Sequence, residues 1–83
     1  MYEVIMPKHV FKELSSTNKK DQQLIFDKIK DLEKGNFTND KPLKGKHKGK
    51  FRKIAGDYRI VYLRQNNTLT IAVLKIAHRK GVY

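Results

Sequence analysis

Basic side chains that could act on a phosphate group stand close together in the second half of the chain. Lys50 and Arg52 are two residues apart in a stretch with strand composition, and Arg59 occupies the next such stretch. Because side chains alternate between the two faces of a strand, Lys50 and Arg52 share a face, which Arg59 joins if the strands form a tight hairpin. Arg79 in the tail could complete the group. Arginine donates two hydrogen bonds to a phosphate and crowded cations stabilise a phosphoryl transition state, so the pattern predicts an anion clamp.

The charge of the chain is distributed unevenly. Of its 83 residues, 19 are Lys or Arg and 8 are Asp or Glu, which gives a formal net charge of +11. Residues 1–42 hold eight Lys and seven acids, whereas residues 43–83 hold seven Lys, four Arg and one acid, Asp57. A positive field of this density attracts polyanions in a salt-dependent way. Nucleic acid is therefore the first partner to test.

The sequence lacks the residues that nucleotide-binding loops, metal sites and carboxylate-pair hydrolases require. There is no GxxxxGK[ST] phosphate loop, Cys is absent, and the three His share no metal-ligand spacing with carboxylates. A single carboxylate in the basic half also excludes hydrolysis by a carboxylate pair there. We therefore expect neither a metal nor a small-molecule cofactor. No apolar run approaches the ~20 residues of a membrane span and the first residues do not resemble a signal peptide, so we expect no membrane partner and a cytoplasmic location.

The first half of the chain has the pattern of one strand and two helices. Residues 2–6 alternate in hydropathy, and Pro7, which cannot donate to a strand ladder, suits the first turn of a short helix that ends near residues 15–16. Asn18 with Asp21 three residues later is typical of a second helix start, and Gly35 is its C-terminal stop. A helical hairpin is predicted.

The second half has the pattern of an antiparallel meander. Residues 35–50 have no period and form a loop. Three stretches of strand composition follow, separated by two short breaks with Gly or Asn that suit two-residue hairpin turns: residues 51–55, 58–64 and 69–76. The middle one is apolar on both faces, as expected of an inner strand. Residues 1–83 are thus predicted to form a single α+β domain, with the helical hairpin on an antiparallel sheet of about four strands, the N-terminal strand among them.

Each conspicuous feature of the basic half also has an ordinary structural interpretation. Residues 44–50 (KGKHKGK) form either a solvated loop or a binding element, since runs of charge usually face water. Arg59 is either a surface residue or a charge on a functional face. His78 could transfer protons at neutral pH or be merely solvated. Three aromatic residues fit a sheet core as well as they fit base stacking: Phe51, Tyr58 and Tyr62.

Two segments together resemble a known family. These are PLKGKHKGKFRKIAGDYRIVY at 42–62 and IAVLKIAHRKGVY at 71–83, within which GDYRIVY (56–62) and HRKGVY (78–83) are the most specific. They are similar to the RelE/ParE toxins of bacterial and archaeal toxin-antitoxin pairs, in particular the RelE-like mRNA interferases. The resemblance covers nearly the whole chain and implies a RelE-like fold.

The resemblance also implies an activity and partners. RelE-like enzymes are ribosome-dependent endoribonucleases that cut messenger RNA in the decoding site without a metal, by attack of a ribose 2′-OH on the adjacent phosphate. The implied partners are the ribosome, mRNA and a neutralising antitoxin protein. Carried over position by position, the catalytic set is Lys50, Arg52, Arg59, Arg79 and Tyr83. The residues expected to contact RNA around it are Lys44, Lys46, Lys48, Lys53, His78 and Lys80.

The sequence departs from the family pattern at two places, and two alternative functions stay open. Many relatives have a basic residue where this chain has Ile54 and a glycine where it has Ala77. ParE-like members share the fold but poison DNA gyrase, and a basic domain of this size could also bind RNA or the ribosome without cutting. The combination of Arg59, Arg79 and Tyr83 favours the ribonuclease.

Overall fold

A computed structural model describes residues 1–81 of the chain and contains two helices and five strands. Helices α1 and α2 span Lys8–Ser15 and Lys19–Glu33, and strands β1 to β5 span Glu3–Ile5, Lys41–Pro42, Lys50–Ala55, Tyr58–Gln65 and Thr70–His78. Short 3-10 helices lie at Gly45–His47 and Arg79–Gly81. Both α-helices pack on one side of the sheet, so the α+β class and the helical hairpin are confirmed.

The helices begin and end where the local sequence predicts. Pro7 precedes α1, and the Asn18 side chain accepts a hydrogen bond of 2.8 Å from the backbone N–H of Asp21 at the start of α2. Gly35, at φ 78°, ends α2 because its left-handed conformation lets the next N–H, that of Asn36, turn back to the carbonyl of Asp31 at 2.8 Å. Within residues 1–81, neither helix is long and apolar enough to cross a membrane.

The sheet differs from the prediction in two respects. Its strand order is β1-β5-β4-β3-β2, and β1 pairs with β5 in parallel while the other pairs are antiparallel. The sheet is therefore mixed. The two helices lie between β1 and the meander in the sequence, so β1 is not joined to a neighbouring strand by a hairpin and can pair in parallel. The fifth strand is the two-residue β2, in which Pro42 occupies an edge position that requires no N–H donor on its outer side.

The two hairpin turns of the meander are unlike each other. The turn between β3 and β4 has two residues, Gly56 and Asp57, as predicted. Gly56 has φ 63°, and a Cβ placed there would lie 2.7 Å from Cδ2 of Leu24 in α2. The second turn has four residues, 66–69, one position later than the break at 65–68 that the sequence predicts: Gln65 pairs with Thr70, and the positive φ falls on Leu69.

The hydrophobic core lies between the helices and one face of the sheet. Strand β4 is the central strand, and its Ile60 and Tyr62 are fully buried, which confirms its prediction as an inner strand. Tyr62 stacks on Phe51 and on Phe37, with ring centroids 5.7 and 6.2 Å apart. Phe51 and Tyr62 therefore belong to the core of the sheet, as Tyr58 does by packing against the same cluster.

A buried polar group ties the loop before β2 to this core. Asp40 accepts a hydrogen bond from the Tyr62 hydroxyl at 2.5 Å and forms an ion pair with the Lys53 ammonium at 3.0 Å. The side chains of Asp40 and Lys53 are 3% and 5% exposed. Burial, followed by the hydrogen bond to Asp40, raises the pKa of the Tyr62 hydroxyl, which therefore stays protonated. Removing either charge leaves the other buried without a counter-charge.

We predict that Asp40→Ala lowers the free energy of unfolding by about 3–5 kcal/mol, the usual effect of leaving one member of a buried ion pair unpaired. Asp40→Ala combined with Lys53→Met should cost less than Asp40→Ala alone, because the second change removes the unpaired ammonium. Urea denaturation measures both. Lys20→Met, at an exposed position of α2, is the control and should change stability little. If the double variant were destabilised by the sum of the two single effects, the stabilising role of the pair would be wrong.

Candidate nucleic-acid interface

The side of the sheet away from the helices presents a basic surface, which we call the open face. The registers of the three long strands and the membership of the core decide which side chains belong to it. From β3, β4 and β5 they are Lys50, Arg52, Ile54, Arg59, Val61, Leu63, Gln65, Thr70, Ala72, Lys75 and Ala77. Four of these eleven are cations, and none is an acid.

The open face brings Arg52 and Arg59 together. Arg52 pairs with Val61 and Arg59 with Ile54, so the two arginines are diagonal neighbours across β3 and β4. Diagonal neighbours on one face of an antiparallel pair have Cα atoms about 7–8 Å apart, within reach of two arginine side chains that hold one phosphodiester. The side chain of Arg59 also donates a hydrogen bond of 3.4 Å to the carbonyl of Tyr58.

Lys50 stands at the other end of this row. It pairs with Leu63, four residues along β4 from Arg59, which corresponds to about 13 Å along the strands. The three cations therefore form a diagonal line with Arg52 in the middle. A row of cations suits the polyanionic backbone of a nucleic acid strand.

Sequence reasoning missed one cation of the open face, Lys75. It lies opposite Val61 on β5, just as Arg52 lies opposite Val61 on β3. Val61 is 0% exposed although it is on this face, which indicates that long neighbouring side chains cover it with their aliphatic stems. The available signal was the spacing of Ile71, Val73 and Ile76, since a step of three between core residues of a strand indicates a bulge.

Arg79 lies at the end of the sheet where Arg59 is. Its backbone N–H donates to the carbonyl of Asp57 at 2.8 Å, which extends the β4–β5 pairing by one step beyond His78. Its guanidinium Nε is 4.0 Å from the Asp57 carboxylate, and the two side chains are 57% and 67% exposed. An exposed pair at this distance contributes little to stability, so Arg79 is available to an anionic partner.

The loop before β3 adds exposed lysines at the Lys50 end. Lys44, Lys46 and Lys48 are exposed around the 3-10 helix, and the ammonium of Lys50 lies 3.4 Å from Nδ1 of His47. The pKa of His47 is lowered by desolvation first, then by the charge of Lys50 and that of Lys46. His47 is therefore neutral near pH 7, and its ring does not repel Lys50.

Two residues that we expected to contact RNA lie away from the open face. Lys53 is 4% exposed, lies on the helix side and binds Asp40, so it cannot reach RNA, and its assignment as an RNA contact is wrong. His78 is exposed but faces the helix side with its partner Tyr58, whose ring it meets edge-on at 5.5 Å. Its Nδ1 accepts from the N–H of Lys80, which is exposed. Tyr83 lies outside the described residues.

Among residues 1–81, no three His, Asp or Glu side chains come together as metal ligands would. The chemical groups that the open face offers are guanidinium and ammonium ions. These can bind phosphates, stabilise the charge of a phosphoryl transition state and donate protons.

The sequence model described as ParE toxin of type II toxin-antitoxin system, parDE, matches residues 8–83. The chain belongs to this family, within the RelE/ParE superfamily, and is a toxin of a type II toxin-antitoxin system. The family resemblance noted in the sequence is thereby confirmed. A comparison with curated proteins found no match.

Solved structures with the same fold include toxins from bacteria and archaea. The RelBE2 toxin-antitoxin complex of Mycobacterium tuberculosis has a chain that is 23% identical, with a TM-score of 0.83, covering 94% of this chain and 98% of that one. A chain of the archaeal RelE-RelB complex of Pyrococcus horikoshii is 26% identical, with a TM-score of 0.82, and the match covers 98% of this chain and 98% of that one. The YoeB/ParE toxin of Agrobacterium tumefaciens is 17% identical, with a TM-score of 0.78, and the match covers 92% of this chain and 96% of that one. These likenesses confirm the RelE-like fold.

We predict that an NMR titration of His47 gives a pKa below that of an ordinary histidine. Lys50→Met should raise this pKa more than Lys46→Met does, because Lys50 is the stronger of the two charge effects and its ammonium contacts the ring. Neither variant should restore the ordinary value, since desolvation is the largest cause. A larger effect of Lys46→Met would show that the Lys50 contact does not control the ring.

Proposed function

We propose that this toxin is a ribosome-dependent endoribonuclease that cleaves mRNA in the ribosomal A site and thereby inhibits translation. The observation that supports the proposal best is the line of cations on the open face, with Arg52 and Arg59 as diagonal neighbours. Cationic donors spaced along a sheet fit the phosphates of an RNA strand. RNA cleavage by its own 2′-OH requires only these groups and no metal.

The reaction assigns a role to each cation. The ribose 2′-oxygen attacks the adjacent phosphorus, the bond from phosphorus to the 5′-oxygen breaks, and the products are a 2′,3′-cyclic phosphate and a 5′-hydroxyl. The proton of the 2′-OH leaves to water, and the ammonium of Lys50 stabilises the negative charge that develops on the 2′-oxygen. Arg52 and Arg59 neutralise the charge that develops on the phosphoryl oxygens, an effect that fixed cations provide without reorganisation.

The leaving group and the nucleotide require two further residues, both near the end of the chain. Arg79, exposed beside the β3–β4 turn, either donates the proton to the leaving 5′-oxygen or clamps the phosphate. Tyr83 orients the cleaved nucleotide or stacks on its base. Lys44, Lys46 and Lys48 bind flanking phosphates at the Lys50 end, as Lys80 does beside Arg79.

The proposed macromolecular partners are the ribosome with its mRNA and a cognate antitoxin. An antitoxin is supported by the family and by the solved neighbours, several of which are complexes of a toxin with RelB or YefM. A segment that neutralises this toxin covers the open face or displaces the tail, and acidic side chains suit the open face.

A second candidate function is inhibition of DNA gyrase. The observation that favours it is the matched family itself, whose description names the ParE toxin. The two functions differ in what they require of the open face. Cleavage requires the two-donor geometry of Arg59, whereas a gyrase poison requires a surface that binds protein.

We predict that brief induction of the toxin produces codon-phased cuts in translated messages, as read by primer extension. Arg59→Lys keeps the charge but loses the planar pair of donors, which should slow cleavage by about ten- to a hundredfold, since a hydrogen bond to a charged group contributes about 1.5–3 kcal/mol. Arg64→Lys is the matched control on the same strand. Arg64 lies over Phe37 and Phe51, at 4.4 and 5.0 Å, and not on the open face, so cleavage should be unchanged.

Two outcomes would reject the ribonuclease. Intact messages together with inhibited supercoiling would establish the gyrase poison. Intact messages, normal supercoiling and no arrest of growth, despite tight and salt-sensitive RNA binding, would leave a plain RNA-binding module.

A further inference from the structure

Strand β5 contains a bulge that changes which side of the sheet its residues face. Lys75 pairs with Val61, but the next residue of β4, Tyr62, pairs with Val73, so Leu74 is an extra residue on β5. Without it, strict alternation from Val73 would put Lys75 opposite Ile60, on the helix side. The bulge therefore moves the Lys75 side chain from the hydrophobic core to the open face.

Helix α1 binds the backbone on either side of this lysine. Strand β1 pairs with β5 only as far as Ala72, so beyond it that edge of β5 has no strand partner among the described residues. Two side chains one helical turn apart occupy the edge instead. The ring Nε2 of His9 lies 2.9 Å from the carbonyl oxygen of Leu74, and the Glu13 carboxylate accepts from the N–H of Ile76 at 2.9 Å.

These two contacts fix the geometry of the bulge. A bulge leaves backbone groups outside the regular ladder, and such groups must find other partners. His9 satisfies the carbonyl before Lys75 and Glu13 satisfies the N–H after it. The carboxylate of Glu13 thus binds the backbone of β5, whereas a glutamate on a helix usually faces water or pairs with a neighbouring lysine.

The result is a triangle of cations on the open face. Arg59 on the central strand is the diagonal neighbour of Arg52 on one side and of Lys75 on the other. Among the described residues Lys75 has no hydrogen bond or ion pair, and it is half-buried on the strand next to Arg59, so its ammonium is available to a ligand.

We propose that Lys75 is a third phosphate-contacting cation of the RNA site, and that His9 and Glu13 are positioning residues that hold it there through the β5 bulge. The proposal rests on the proposed function for its substrate, single-stranded RNA. Lys75 then binds the phosphate next to the scissile one, on the side of Arg59 opposite Arg52.

The first test measures how salt weakens binding of a fluorescent single-stranded RNA oligonucleotide. Removing one cation that binds a phosphate reduces the slope of log affinity against log salt by about 0.7 for a single strand. Lys75→Met should show this reduction and Lys75→Arg should not. Lys20→Met, an exposed lysine on α2, is the control for a general decrease in charge and should leave the slope unchanged. A slope for Lys75→Met equal to that of Lys20→Met would overturn the proposal.

The second test separates positioning from charge at Glu13. Glu13→Ala and Glu13→Gln remove the same negative charge, which by itself would strengthen RNA binding, but only glutamine keeps an oxygen that accepts from Ile76. The slope should therefore fall in Glu13→Ala and stay unchanged in Glu13→Gln. Glu13→Ala added to Lys75→Met should cause no further fall. An equal further fall, or equal behaviour of the two Glu13 variants, would remove Glu13 from the proposal.

The RNA-binding measurement does not depend on cleavage, so the two proposals can fail separately. A reduced slope for Lys75→Met with no mRNA cleavage by the wild-type toxin would support the Lys75 site and reject the ribonuclease. Cleavage by the wild type, with the salt slope and the cleavage rate both unaffected by Lys75→Met, would support the ribonuclease and reject the Lys75 site.

Discussion

The pairing register of β3, β4 and β5 is the constraint on which the structure and its proposed function depend. Because side chains alternate along paired strands, one register places aromatic and branched residues against the helices and places cations on the other side. A shift by one residue would exchange the two sets. It would bury several charges and expose the core, which makes this register strongly preferred.

Lys53 shows what a cation on the helix side of the sheet requires. It is on the same face as Phe51 and Ala55, and its ammonium is neutralised by Asp40 from the loop before β2. The same carboxylate accepts from the Tyr62 hydroxyl. One acid therefore compensates a buried charge, satisfies a buried hydroxyl and attaches the loop that leads to the basic segment.

Much of this arrangement could be predicted from the sequence, because it is encoded by neighbouring residues. Asn18 and Gly35 mark the ends of α2, and Gly56 with Asp57 marks the tight hairpin that brings Arg52 near Arg59. The parallel pairing of β1 and the short β2 could not be predicted, because they depend on where the chain returns after the helices and the loop. No local pattern specifies that return.

The site was predicted less completely than the fold, for the same reason. The open-face position of Lys75 depends on an extra residue in β5 and on His9 and Glu13, more than 60 positions earlier in the chain. Burial of Lys53 depends on an acid in a loop without periodicity. Alternation alone assigns a face to a residue, but the partner that it meets there is set by tertiary structure.

RNA binding to the open face of the sheet is the proposed property on which the others depend. The most direct measurement is an NMR titration of the isotopically labelled toxin with a single-stranded RNA that carries 2′-deoxyribose at one position, so that it cannot be cut there. We predict that the largest amide shifts occur at Arg52, Arg59, Val61 and Lys75, with little change in α1 and α2. The largest shifts on the exposed surfaces of the helices, with the open face unchanged, would contradict it.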